Sequence, residues 1–273
     1  MSHIVKNKDD LMLLKDIFDE FRKEMVDICL LEDTVKCLLP KDSNGELFSE
    51  YQIKEVDGGY SRFCLGDNCL KLSLDEMNRW SEFNSKKLAS RFNINEIDLF
   101  RKYIFFSIII HEIEHSYQYL MANGLIDSPC TLVSNGYKLI IDTLINNNNN
   151  NNNSGLLKEI KNHISCYIYN KNSGRYVIER NANVEAFDLL QKLAIENNHM
   201  ELADTFNKMR NSIAIWGYID NNKGSFYETC KDMKLIHEYK NFNHDYQLSD
   251  IERFRYGLPV SSEFRDKIKI IRK

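Results

Sequence analysis

The chain has 273 residues, 43% of them hydrophobic and 11% aromatic, and a net charge of −4. That is enough apolar material for a large core, and the mildly acidic balance excludes the basic footprint of a nucleic-acid binder. With no run of about 20 apolar residues for a membrane helix, no apolar signal region at the start, and seven scattered cysteines, the expectation is a soluble, intracellular, cytoplasmic protein with reduced thiols and no membrane partner.

Leu11, Leu14, Ile17, Phe18, Phe21, Met25 and Ile28 recur at helical spacing and predict one helix over residues 8–31. Val35–Leu39 and Tyr60–Leu65 read as strands, and Leu70–Leu74 alternates like a half-buried one. Cys64-Leu-Gly-Asp-Asn-Cys69 has a spacer allowed for a metal or redox pair, but no second Cys/His pair follows at finger-like spacing. The better reading is a hairpin, with Gly66-Asp67-Asn68 as the turn and one cysteine on each strand. Asp75–Trp80 opens a short helix or loop, and Asn93 with Glu96 resembles a capping arrangement for the next helix. Tyr103–Ile110 is apolar nearly all round, as in a helix buried on most sides.

Residues 146–153 are eight consecutive Asn, which cannot bury apolar surface and so predict a surface loop. Leu156–Ile160 and a strand or loop over 165–169 follow, then helices over about 176–196 and 200–218. The basic stretch 265–273 reads as a solvated terminal element. The whole predicts an α+β protein, with a small N-terminal sheet, a motif-bearing helix and a mainly helical C-terminal part. A single domain covers 1–273: an N-terminal lobe (1–122), an insertion with the poly-Asn loop (123–172) and a C-terminal lobe (173–273).

Residues His111-Glu112-Ile113-Glu114-His115 form the pattern H-E-x-x-H. On a helix, two histidines four apart lie about 40° apart around the axis and about 6 Å apart along it. Both imidazoles can then converge on one Zn²⁺, and Glu112 can act as general base on a water at the metal. Glu114 points elsewhere and reads as a solvated or supporting neighbour. A catalytic zinc needs a third protein ligand. In Glu179-Arg-Asn-Ala-Asn-Val-Glu-Ala-Phe-Asp-Leu-Leu190, Glu179 and Asn183 share a face one turn apart, while Ala182 and Ala186 allow close helix approach. Glu179 is then the ligand and Asn183 orients a ligand histidine; Glu185 is the competitor. Tyr176, His237 and Tyr256 are candidate oxyanion stabilisers, each with a structural reading as well.

With H-E-x-x-H on one helix and a Glu on a later one, the chain resembles the gluzincin metallopeptidases. Glu179-x-x-Ala182-Asn183-x-x-Ala186-x-x-Leu189-Leu190 is similar to the second motif of the ImmA/IrrE-type intracellular proteases, although Asn181 stands where that family often has Glu. The resemblance implies a zincin-like fold, one Zn²⁺ held by His111, His115 and Glu179, Glu112 as base, and hydrolysis of a protein or peptide substrate, as an endopeptidase. The alternative is a catalytically silent protein of that fold that binds an intracellular partner. A third reading dispenses with the metal and makes residues 8–31 and 200–218 contact helices.

Overall fold

A computed structural model describes residues 4–5, 7–23, 26–56, 61–64, 66–127, 134, 138 and 177–219; the side chains of 91, 177–180 and 211–219 are outside the description. The described part is mixed α+β, mostly helical, with one three-stranded sheet. No helix among the described residues is long and apolar enough to cross a membrane. The chain divides into two compact units, one of Met1–Tyr117 with Glu185–Arg210, the other of Gln118–Val184 with Asn211–Lys273.

The first unit opens with α1 (Lys8–Lys23) and α2 (Ile28–Leu38). Asn7 and Asp10 cap α1 reciprocally, each side chain accepting from the other's backbone N–H at 2.9 and 3.1 Å. The single helix expected over 8–31 is therefore two. Asp27 starts the second: its backbone is extended and its carboxylate accepts from Leu30 N–H at 2.8 Å, a cap that contributes about 1 kcal/mol. The strand expected at Val35–Leu39 is also corrected, since Val35–Leu38 is the end of α2 and Leu39 its C-cap. Leu31, Thr34, Val35 and Leu38 are buried, and that spacing is one face of a helix, which the run of β-branched and apolar residues concealed.

The sheet has the order β1-β3-β2, from β1 (Glu50–Lys54), β2 (Arg62–Cys64) and β3 (Cys69–Ser73). β1 runs parallel to β3 and β2 antiparallel to it. The expected hairpin is present, with Cys64 directly opposite Cys69. Its turn is closed by Asp67 N–H donating to the Cys64 carbonyl at 3.2 Å and by Asn68 at φ 46°, a left-handed conformation that Asn tolerates better than most residues. β1 was not foreseen; its residues alternate between exposed and half-buried at the sheet edge, so no apolar pattern announces it.

Ser73 caps α3 (Leu74–Phe92), a helix much longer than the short one expected at Asp75. Asn93 does not open the next helix. At φ 55° it closes α3, its N–H donating to the Ala89 carbonyl, the left-handed C-terminal position that Asn shares with Gly. The motif helix α4 (Ile97–Ala122) then starts at Ile97. α5 (Val177–Glu196) and α6 (Met200–Ile219) follow the expected bounds closely.

The core of the first unit is aromatic. Phe18 of α1 packs on Tyr103 and Phe106 of α4 with ring centroids 4.2 and 5.5 Å apart, and Phe21 packs on Phe105 and Phe106. Phe206 of α6 stacks with Phe100 and Phe187. Lys102 donates to the Phe21 carbonyl in the last turn of α1 at 2.7 Å. In the second unit Gly124, at φ 67°, ends α4, with Leu125 N–H returning to the Leu120 carbonyl, a close that favours glycine. The poly-Asn tract, 156–160, 165–169 and 265–273 lie outside the described residues.

Candidate metal centre

The apolar run before the motif behaves as its composition predicts. Tyr103, Ile104, Phe105, Phe106, Ile109 and Ile110 are all buried. The same helix carries His111, Glu112 and His115 forward in helical register.

The structure brings these three side chains together. His111 Nε2 and His115 Nε2 are 3.2 Å apart, their rings perpendicular with centroids separated by 4.8 Å. Two nitrogens sharing a tetrahedral Zn²⁺ at about 2.0–2.1 Å each would be separated by roughly 3.3–3.4 Å. The pair therefore fits a metal of that kind. Glu112 Oε1 lies 4.0 Å from His111 Nε2, and its Oε2 accepts from Phe63 N–H of β2 at 2.8 Å. His111 and Glu112 side chains are 17% and 13% exposed, so both are accessible from solvent, whereas His115 is buried.

Phe63 is the main site feature that residue-type reasoning missed. It contributes through a backbone N–H, which every residue except proline carries, so only the position of β2 reveals it. In its antiparallel register Phe63 is opposite Leu70, yet its N–H is turned to Glu112. One end of the carboxylate is thereby anchored and the other left towards the histidines.

A second polar contact seats the same turn of α4. Ser49 donates to Asn68 Oδ1 at 2.9 Å, so its single hydrogen is committed. Ser116, 2.7 Å away, must then be the donor in the buried Ser116–Ser49 contact. Asn68 in turn donates to the Phe48 carbonyl at 2.7 Å. The turn of the β2–β3 hairpin is thus tied to the residue that follows His115. Tyr117 donates to the Leu38 carbonyl at 3.4 Å. Burial first, and the negative charge of Glu114 second, hold its phenol well above the ordinary value, so it remains a neutral donor.

Glu114 is fully buried, which corrects its reading as a solvated residue. On a helix so enclosed, the residue two positions after Glu112 faces the interior of its unit rather than water.

Glu179 is on α5 as expected, but its side chain is outside the described residues. Asn183 is half-buried on the same helix. Glu185, the competing ligand, is fully buried. Among the described residues no three His, Cys, Asp or Glu side chains form a metal-holding group, so Glu185 does not join His111 and His115. Tyr176, His237 and Tyr256 lie outside the described residues. Within the second unit, Gln118 donates to Asn181 Oδ1 at 2.9 Å, and both side chains are buried. Asn181, which departs from the motif pattern, is therefore a helix-to-helix contact between α4 and α5.

Of the remaining histidines, His199 is structural. Its Nδ1 is 2.8 Å from Tyr103 Oη and its Nε2 3.3 Å from an Arg22 nitrogen. Arg22 can only donate, so Nε2 accepts and the hydrogen of the neutral ring sits on Nδ1, facing the tyrosine oxygen. Burial and the Arg22 charge lower its pKa.

No protein-family model, curated protein or solved structure matches the chain.

Proposed function

We propose that the chain is a zinc-dependent metallopeptidase of zincin-like fold, acting inside the cell on a protein or peptide substrate as an endopeptidase. The observation that carries this reading is the 3.2 Å approach of His111 Nε2 and His115 Nε2, with the Glu112 carboxylate beside them. His111 and His115 hold the metal, and Glu179 is the third ligand. Its place on α5, one turn before Asn183, supports that choice. A bound Zn²⁺ supplies a Lewis acid and lowers the pKa of a coordinated water towards about 7. Glu112 takes the proton of the attacking water and delivers it to the leaving amine. The Phe63 N–H on Oε2 keeps that carboxylate from swinging away and directs Oε1 to the histidine side.

Purified without chelator, the chain is expected to carry one zinc ion by elemental analysis, and His111→Ala or Glu179→Ala to lose it. Glu112→Gln is expected to keep the zinc and lose cleavage of a peptide library. A zinc-free native protein whose stability is unchanged by His111→Ala would overturn the metal reading. A zinc-loaded native protein that cleaves nothing, with partner binding unaffected by Glu112→Gln, would leave a binding module in its place.

A further inference from the structure

The hairpin beside Glu112 carries chemistry that the zinc reading does not use. Cys64 and Cys69 are both free thiols and stand directly opposite one another across β2 and β3. Opposed residues of an antiparallel pair have Cα atoms about 4.5–5.5 Å apart, with both side chains on one face. A disulfide spans about 4.4–6.8 Å between Cα atoms, so this pair can close with little backbone movement. The two thiols are not equivalent: Cys64 is half-buried and Cys69 buried. Cys69 reaches towards the Leu70 carbonyl at 3.7 Å. Burial raises its thiol pKa, the Lys71 charge only partly opposing this.

The geometry points to a redox-modification site: Cys64 and Cys69 form a reversible cross-strand disulfide when the protein meets a peroxide. The Cys64 thiolate, the accessible one, attacks a peroxide oxygen. The O–O bond breaks, a Cys64 sulfenic acid forms, and the departing hydroxide leaves as water with the thiol proton. Cys69 then attacks the Cys64 sulfur. The S–S bond forms, the S–O bond breaks, and a second water carries away the Cys69 proton. Two thiols lose two electrons and hydrogen peroxide gains them. Cys69 is the resolving partner because it stands directly opposite Cys64 and is shielded from the peroxide.

The disulfide matters because β2 is a three-residue strand at the sheet edge, the kind of element that opens locally at low cost. Its middle residue, Phe63, holds Glu112. Oxidation therefore staples to β3 the strand that positions this carboxylate. The site stands on the hairpin alone and holds whether or not the chain binds zinc.

The test uses the full chain, reduced, desalted, exposed to hydrogen peroxide, quenched with N-ethylmaleimide and read by peptide mass spectrometry. The expected first product is an intrachain Cys64–Cys69 link, lighter by two hydrogens, that dithiothreitol reverses while the other cysteines alkylate in full. Amide exchange at Phe63 should slow several-fold in the oxidised form. In Cys69→Ser the Cys64 sulfenic acid has no resolving partner, so dimedone should trap it in several-fold higher yield than in the native chain. A first disulfide elsewhere, or direct passage of Cys64 to sulfinic acid in the native chain, would overturn the proposal, and the native-chain result decides even if the variant folds poorly.

Discussion

The two halves of α4 solve opposite problems. From Phe100 to Ile110 the helix buries apolar side chains against the aromatics of α1 and α6. From His111 to Gln118 it buries Glu114, His115, Ser116 and Gln118. The first half is held by apolar burial and dispersion, which tolerate many sequences of the right volume. The second pairs polar groups one at a time, Ser116 with Ser49, Glu112 with Phe63, Tyr117 with Leu38 and Gln118 with Asn181. Burying polar groups lowers stability unless each is partnered. A helix that accepts this directly after an apolar run breaks the pattern that packing alone would favour, and it does so at the turn on which the proposed metal site rests.

The largest effect that would sharpen this contrast is on rate. Glu112→Gln is expected to lower peptide cleavage by about 10²–10⁴-fold, measured as kcat/KM, while the denaturation midpoint stays near that of the native chain. A rate loss that merely tracks unfolding would put both halves of the helix to the same purpose. Next comes Phe106→Ala, which removes a ring packed on Phe18 and Phe21 and should cost about 3–5 kcal/mol in urea denaturation. The variant that remains folded should keep its zinc content.

Ser116→Ala removes the buried donor to Ser49. A loss of about 1–2 kcal/mol is expected, and the double variant with Ser49→Ala should lose less than the sum of the single losses. Full additivity would show that the pair does not seat the motif turn.

The smallest effect is on pH dependence. The folded state favours neutral His199, because burial and Arg22 hold its pKa below 6.5. The associated stability is present above 6.5 and is lost as pH falls from there through the lowered folded value. The fall in denaturation midpoint between about pH 7.5 and pH 5.5 should therefore be steeper in the native chain than in His199→Gln. Equal slopes would place the acid sensitivity elsewhere.

Several misread elements share a cause. Val35–Leu39 has strand-like composition, but Asp27 caps a helix ahead of it and the buried residues follow a period near 3.6. Asn93 and Glu96 have the form of a start signal, yet Asn also serves as the left-handed residue that ends α3. Local sequence offered two uses for each residue, and neighbouring elements chose between them. β1 had no apolar stripe to read because it sits at the sheet edge.

By itself, the sequence determined that His111, Glu112 and His115 would share a helix, because helical periodicity is a local property of the backbone. It likewise determined the buried run before them and the cysteine-flanked hairpin, through composition and turn residues. Only the tertiary structure decided the approach of the two imidazoles, the grip of Phe63 N–H on Glu112, the serine contact behind His115 and the burial of Glu114. These depend on rotamers and on backbone groups from distant segments. A backbone N–H looks the same at almost every position in a sequence, and only packing gives one of them a carboxylate to hold.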